Sequence, residues 1–329
     1  MDAMTVWKFS LGALLTLFAG TLVLTTSAPV CAQSSTRSFQ MALWDYPTAG
    51  PNADIATFYP TEGQPAGRSI LIGWNPTIPL NAQTAPFVWS GIVAMQIDEP
   101  YSTRYTTVDN VIRNADGTPA CHPAGLNAAM ANMDAMLAQR AAELKAVAPR
   151  ARFWVNLTYG EALWIQACGS PQTFNRTYID VISFDWYSNN SGFQSFDATI
   201  KPVLTTLLSS APKPDQQLAL IPGVFSAPAN QLPYLADYFD YANSMNQSCN
   251  LPFGSRGVTG IYDGCTIWAV LGFLAGNTRE GSTQYLGMLD PNSVAIATAW
   301  QNERELPMGP GLVRQRTRAL QPALQLLVK

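Results

Sequence analysis

The sequence predicts an α/β protein built as a (β/α)8 TIM barrel, with an irregular early half and extended loops on its C-terminal face. Three observations predict it. Short apolar runs alternate with helical segments, the pattern of βαβ units around a parallel sheet. The runs are almost continuously hydrophobic, as strands buried on both faces must be. Several end in an acid, often beside Trp or Tyr, and the C-terminal rim of such a barrel is where chemistry sits.

The elements follow in order. Residues 39–43 lead into Trp44-Asp45-Tyr46, and 70–73 into Trp74-Asn75-Pro76. Residues 92–97 are the most informative run, ending in Asp98-Glu99-Pro100-Tyr101. Proline stops that strand because it has no N–H to give the ladder. Residues 124–147 are rich in Ala, Met and Leu and precede Pro149, so they read as a helix. Residues 153–157 lead to Thr158-Tyr159-Gly160-Glu161, and 181–184 to Asp185-Trp186-Tyr187. Helices are expected over 196–208 and 231–245, with a strand at 218–221 between them. Residues 266–271 carry Trp268, with Gly260-Ile261-Tyr262-Asp263 just before. A last helix is expected over 291–304, with Asp290 as N-cap and Pro291 at its first position. This makes seven strands, and the eighth falls either between Asp45 and Ile70 or at 257–262.

The ends of the chain read differently. Lys8 precedes an apolar stretch over 11–24, and Val30-Cys31-Ala32 suits cleavage before Gln33. Residues 1–32 are therefore expected to be a signal peptide, the stretch being short for a spanning helix. Residues 33–309 form the expected barrel domain and 310–329 a basic C-terminal tail. The chain is expected to be secreted or periplasmic, with no membrane span after cleavage.

Composition narrows the partners. Net charge is −3, charged residues are 12% and aromatics 11%. That balance gives no electrostatic case for nucleic acid and suits a protein meeting neutral, polar ligands such as sugars. Four cysteines remain after cleavage, Cys121, Cys168, Cys249 and Cys265, an even count that suggests two disulfides in an exported chain. The favoured pairs are Cys121–Cys168, joining the segments after two consecutive strands, and Cys249–Cys265, closing a short loop. His122 is the only histidine, so a Cys/His metal site is poorly supplied. The sequence has no G-x-S-x-G elbow, P-loop or G-x-G-x-x-G after a strand, so no nucleotide or other cofactor is expected.

The strand-end acids carry the functional expectation. In a closed barrel Asp98, Glu99, Glu161 and Asp185 converge on one mouth. Acids gathered there shift one another's pKa, so one stays protonated while another is ionised. Glycoside hydrolysis needs such a pair. Trp44, Trp74, Asn75, Tyr101, Tyr159, Trp164, Trp186, Tyr187 and Trp268 are candidate sugar contacts, the aromatics offering platforms for sugar rings. Each acid also has a plainer role open to it. Asp98 suits a turn, Glu161 the first turn of a helix, and Asp185 a loop acceptor.

Ile97-Asp98-Glu99-Pro100 resembles the Asn-Glu-Pro strand end of the retaining (β/α)8 glycosidase clan, and residues 178–187 are similar to an inner strand of such a barrel. The resemblance implies a glycoside hydrolase acting on oligo- or polysaccharide, with Glu99 as general acid/base. Two departures stand out. Asp98 occupies the clan's Asn position, and residues 218–225 hold no acid where the clan has its nucleophile. The second carboxylate is then Asp185 or Glu161 by placement, with Asp98 tuning Glu99. Retaining and inverting chemistry both stay open. The missing late-strand acid motivates the other expectation, a barrel that binds glycans without cleaving them.

Overall fold

The computed structural model describes residues 36–46, 51–59, 67–73, 75–80, 89–101, 128–168, 176–187, 193–209, 216–225, 231–247, 265–273, 276, 278–280 and 283–309. The expected signal peptide and C-terminal tail lie outside the described residues, as do Trp74, His122, Cys121 and Cys249 and the side chains of Trp164 and Cys168.

The apolar runs become eight parallel strands. They are β1 (Gln40–Leu43), β2 (Ala56–Phe58), β3 (Ser69–Leu71), β4 (Ile92–Asp98), β5 (Arg152–Thr158), β6 (Val181–Asp185), β7 (Gln217–Leu220) and β8 (Ile267–Gly272). Each strand pairs with its sequence neighbour, β1 pairs with β8, and a parallel bridge between Ala42 and Ile55 brings β1 to β2. The sheet is thus a nearly closed (β/α)8 barrel of the TIM type. The eighth strand is β2, in the first of the two stretches where the sequence left room for it. It has only three residues, and an acid fixes its approach: Asp54 pairs with buried Arg37, lies 3.0 Å from Arg304, and accepts the Met41 N–H at 2.9 Å.

Alternation along the strands separates two apolar clusters. Ala42, Ile55, Ile70, Ala94, Trp154, Val181, Ala219 and Trp268 fill the interior of the ring. Met41, Leu43, Phe58, Met95, Phe153, Val155 and Leu218 face outward onto the helices. Trp154 and Trp268, both fully buried, meet edge to face at 5.8 Å in the middle of the barrel. That geometry adds about 0.5–1.5 kcal/mol beyond area burial.

The helices are α1 (Ala128–Val147), α2 (Tyr159–Cys168), α3 (Lys201–Ser209), α4 (Gln231–Met245) and α5 (Val294–Arg304). On α1 the buried residues Met133, Leu137, Arg140, Ala141 and Leu144 recur at helical spacing and form the face toward the sheet. One expected helix start holds, with a wider first turn, and one moves. Residues 196–200 make a wide π turn ahead of α3, capped by Ser195, whose Oγ accepts the Ala198 N–H at 3.1 Å. The last helix begins at Val294 rather than Pro291, after a turn in which Asp290 Oδ1 accepts the Asn292 N–H at 2.8 Å and Asp290 O the Ser293 N–H at 2.9 Å. A short hairpin, β9 (Thr278–Glu280) and β10 (Thr283–Tyr285), carries no acid-ended apolar run and was not visible in the sequence. Among the described residues no helix is long and apolar enough to cross a membrane.

Candidate functional site

Register decides which side chains meet. β4 and β5 pair with Asp98 opposite Asn156, β5 and β6 with Thr158 opposite Asp185, and a bridge joins Asp185 to Ile221. These positions are the C-terminal ends of their strands. They open on a cavity of about 300 Å³ lined by Trp44, Tyr59, Gly73, Asp98, Glu99, Asn156, Asp185, Tyr187, Ile221 and Phe273. That size is at the lower end for ligand clefts.

Glu99 reaches the cleft through an unusual backbone. Its N–H still donates to Asn156 O at 2.8 Å, continuing the ladder, while its φ of 46° turns the chain into the left-handed region. A non-glycine residue held there carries strain that the surroundings must impose, a feature concentrated at functional sites. The next residues are held from below. Glu161 is fully buried and accepts the Tyr101 N–H at 2.7 Å with one carboxylate oxygen. Its other oxygen accepts the Thr158 N–H, while Glu161 N–H donates to Thr158 Oγ1 at 3.1 Å. Thr158-Tyr159-Gly160-Glu161 is therefore a capping box that starts α2. The same carboxylate ties the Glu99–Tyr101 turn to the end of β5. Burial, with the Glu99 charge adding to it and the two backbone N–H groups opposing, pushes the Glu161 carboxyl up to about 8.

Asp98 is held by a polar chain running through the barrel. Trp154 Nε1 donates to Ser183 Oγ at 2.7 Å, Ser183 Oγ donates to Asn156 Oδ1 at 2.7 Å, and Asn156 Nδ2 donates to Asp98 Oδ1 at 2.9 Å. Each donor fixes the next group, so the amide of Asn156 has one orientation available.

Asp185 is the most perturbed group of the cleft. Burial is the main cause, the charges of Asp98 and Glu99 add to it, and together they push its carboxyl up to about 7. Tyr187 donates to its Oδ2 at 3.0 Å and pulls the other way. Its Oδ1 is buried and has no hydrogen-bond partner among the described residues.

The aromatic wall is continuous. Tyr187 stacks on Phe273 at 4.8 Å and 9°, and Trp44 packs edge-on against Phe273 at 5.6 Å and against Tyr59. Trp44 also donates its indole N–H to the Tyr59 hydroxyl. Gly73 lies beside them with φ of 73°, and a Cβ there would come within 3.0 Å of the Tyr59 ring. Glycine suits both the dihedral and the space.

Of the residues singled out in the sequence, Asp98, Glu99, Asp185, Trp44 and Tyr187 come together in the cleft. Tyr159 and Trp186 stack on each other at 4.3 Å and are half-buried, outside the cleft lining. Tyr101 is buried in the outer core, and Trp268 in the barrel interior. Asn75 caps its own turn, its Oδ1 accepting from the Thr77 N–H and hydroxyl. Glu161 belongs to the capping box and does not line the cleft. Cys265 is disulfide-bonded. Sequence reasoning missed Tyr59, Gly73, Asn156, Ile221 and Phe273. Asn156 had a signal, a lone amide inside an apolar strand. Among the described residues no group of three or more His, Cys, Asp or Glu is placed to hold a metal. Neither the family models nor the curated proteins yield a match to this sequence.

Proposed function

We propose that this protein is an exported glycosidase-like hydrolase acting on oligo- or polysaccharide by carboxylate chemistry. One observation carries the reading: the adjacent Asp98 and Glu99 and the distant Asp185 line the same aromatic-walled cleft at the C-terminal mouth. Two carboxyl groups in opposite protonation states are what glycosidic cleavage requires. The raised Asp185 supports it as the proton donor to the leaving oxygen, with Glu99 as the second carboxylate. This exchanges the roles that the strand-end resemblance implies. The Asp98 charge beside Asp185 favours retention of the Asp185 proton. Tyr187 orients the Asp185 carboxyl, and the Phe273 and Trp44 faces supply apolar contact for a sugar ring. Export through residues 1–32 and the pairs Cys249–Cys265 and Cys121–Cys168 belong to the same proposal.

A second reading has its own observation. β7 runs into Ile221-Pro222-Gly223, and apolar Ile221 lines the cleft where the resembling glycosidases carry an acid. A glycan-binding barrel without turnover needs no acid there.

Release of reducing ends from a polysaccharide panel separates the two readings. On a substrate so identified, Asp185→Asn and Glu99→Gln are each expected to lower turnover by about 10²–10⁴-fold while sugar binding persists. Unchanged turnover in both variants ends the hydrolase assignment, and binding without any release favours the second reading.

A further inference from the structure

We infer that Glu161 is the positioning residue for Glu99: its buried carboxyl clamps the turn after β4 to the end of β5 and so sets where the Glu99 carboxyl stands in the cleft. The inference rests on the hydrolase reading above for its kinetic consequence, and on geometry alone for the clamp.

Starting α2 does not by itself account for this acid. A capping box needs one carboxyl oxygen on the N-cap N–H, and Glu161 supplies it to Thr158. Its other oxygen accepts the Tyr101 N–H at 2.7 Å, from a residue 60 positions earlier in the chain. A capping carboxyl can stay in water, where no desolvation opposes it. Glu161 is instead fully buried, and the Glu99 charge works against its ionisation. The bond to Tyr101 is what that burial secures.

The turn needs such a clamp. Glu99 has φ of 46°, where a residue with a Cβ is strained unless its surroundings impose the conformation. Two backbone N–H groups hold the segment to the β5 side. Glu99 N–H donates to Asn156 O at 2.8 Å, and Tyr101 N–H donates to Glu161. Pro100 between them has no N–H to give and a fixed φ, so it stiffens the turn without adding a bond. The chain is therefore pinned on both sides of the Glu99 Cα. Without the bond from Tyr101, Glu99 is released to relax toward negative φ. That rotation carries its Cβ with it and takes the carboxyl from its place in the cleft beside Asp98 and Asp185.

Asp185 reports where Glu99 stands, because the Glu99 charge helps to hold the Asp185 proton. Glu161, pushed up to about 8, is mostly protonated at pH 7. Glu161→Gln therefore removes little charge there and changes mainly the hydrogen bonding. An amide has a single acceptor oxygen, and its NH2 has nothing to offer a second backbone N–H. Glu161→Asp is one methylene shorter and cannot reach both N–H groups together.

Both variants are compared with wild type at a temperature where circular dichroism shows each fully folded. On a substrate from the polysaccharide panel, kcat is expected to fall about 10–100-fold, with KM within about threefold of wild type. Without substrate, the carbon-13 midpoint of the Asp185 carboxyl is expected to move down. The Tyr101 amide is expected to exchange with solvent at least about tenfold faster. A folded variant that is less stable, yet keeps the wild-type kcat and Asp185 midpoint, makes Glu161 a purely structural acid and overturns the inference. If neither variant folds, hydrogen exchange in the wild-type protein decides. Protection of the Tyr101 amide equal to that of the β5 ladder supports the clamp, and exchange as fast as an open loop overturns it. If no polysaccharide is cleaved, the hydrolase reading falls, while the Asp185 midpoint and the Tyr101 exchange still decide whether Glu161 sets the place of Glu99.

Discussion

Asn156 is a small residue with a large share of the site. It sits on β5 almost wholly buried, donating to Asp98 and accepting from Ser183. Removing it strips one bond from a cleft carboxylate and one from a buried hydroxyl. Asn156→Ala is therefore expected to cost about 1–3 kcal/mol of stability, read from urea unfolding against wild type. A loss within measurement error would mean that the chain from Trp154 to Asp98 does not hold the site together. Asn156 was legible in principle, because an amide within Phe153-Trp154-Val155-Asn156-Leu157 has no reason to be there for packing alone. Glu161 shows the opposite difficulty. An acid three residues after a Thr signals a capping box, and an acid after a strand signals a rim. Only the register showed both of its oxygens turned to backbone N–H groups. Tyr59 and Phe273 follow strand segments that do not end in an acid, so the strand-end pattern did not mark them.

At the scale of elements, long apolar strands gave themselves away and short ones did not. β4 and β5, with seven residues each, are visible as runs, whereas three-residue β2 is held by Asp54 and its arginine partners as much as by its own pattern. The interior ring is where strands depend on one another most. Trp154 fills it from β5 against Trp268 of β8, and its indole N–H also begins the chain to Asp98. Trp154→Ala leaves a cavity in the barrel interior beside Trp268 and is expected to cost about 3–5 kcal/mol, measured by thermal or urea unfolding. Trp268→Phe keeps most of the volume and the aromatic contact and is expected to cost far less. Equal losses in the two would contradict an interior packed as a ring. The moved start of α5 has the same lesson in small. Asp290 and Pro291 are good helix-start residues by type, but here they open a turn closed on Asn292 and Ser293, and the helix follows it.

The whole molecule carries the cost of its buried acids. Asp185 and Glu161 are pushed up from ordinary values of 3.8 and 4.5 to about 7 and about 8. Below pH 4 the folded and unfolded states both hold these protons, so stability is not penalised. As pH rises, the unfolded chain releases them first and the native state keeps more, so stability falls across the window from about 4 to about 8. The sign is opposite to that of a salt-bridged carboxylate. Urea unfolding at pH 5 and pH 8 is expected to show a native state weaker at the higher pH by more than about 1 kcal/mol. Asp185→Asn, which removes one of the two groups, is expected to shrink that difference. A variant with the same pH slope as wild type would mean that Asp185 titrates normally in the fold.

Convergence of three carboxyls in one cleft has a direct spectroscopic consequence that needs no substrate. The carbon-13 shift of the Asp185 carboxyl, followed through a pH titration of the native protein, is expected to turn over near pH 7. In Asp98→Asn the midpoint is expected to move down, because one of the neighbouring charges that raise it is gone. An Asp185 midpoint near 4 in the wild-type protein, unmoved by that substitution, would contradict the account.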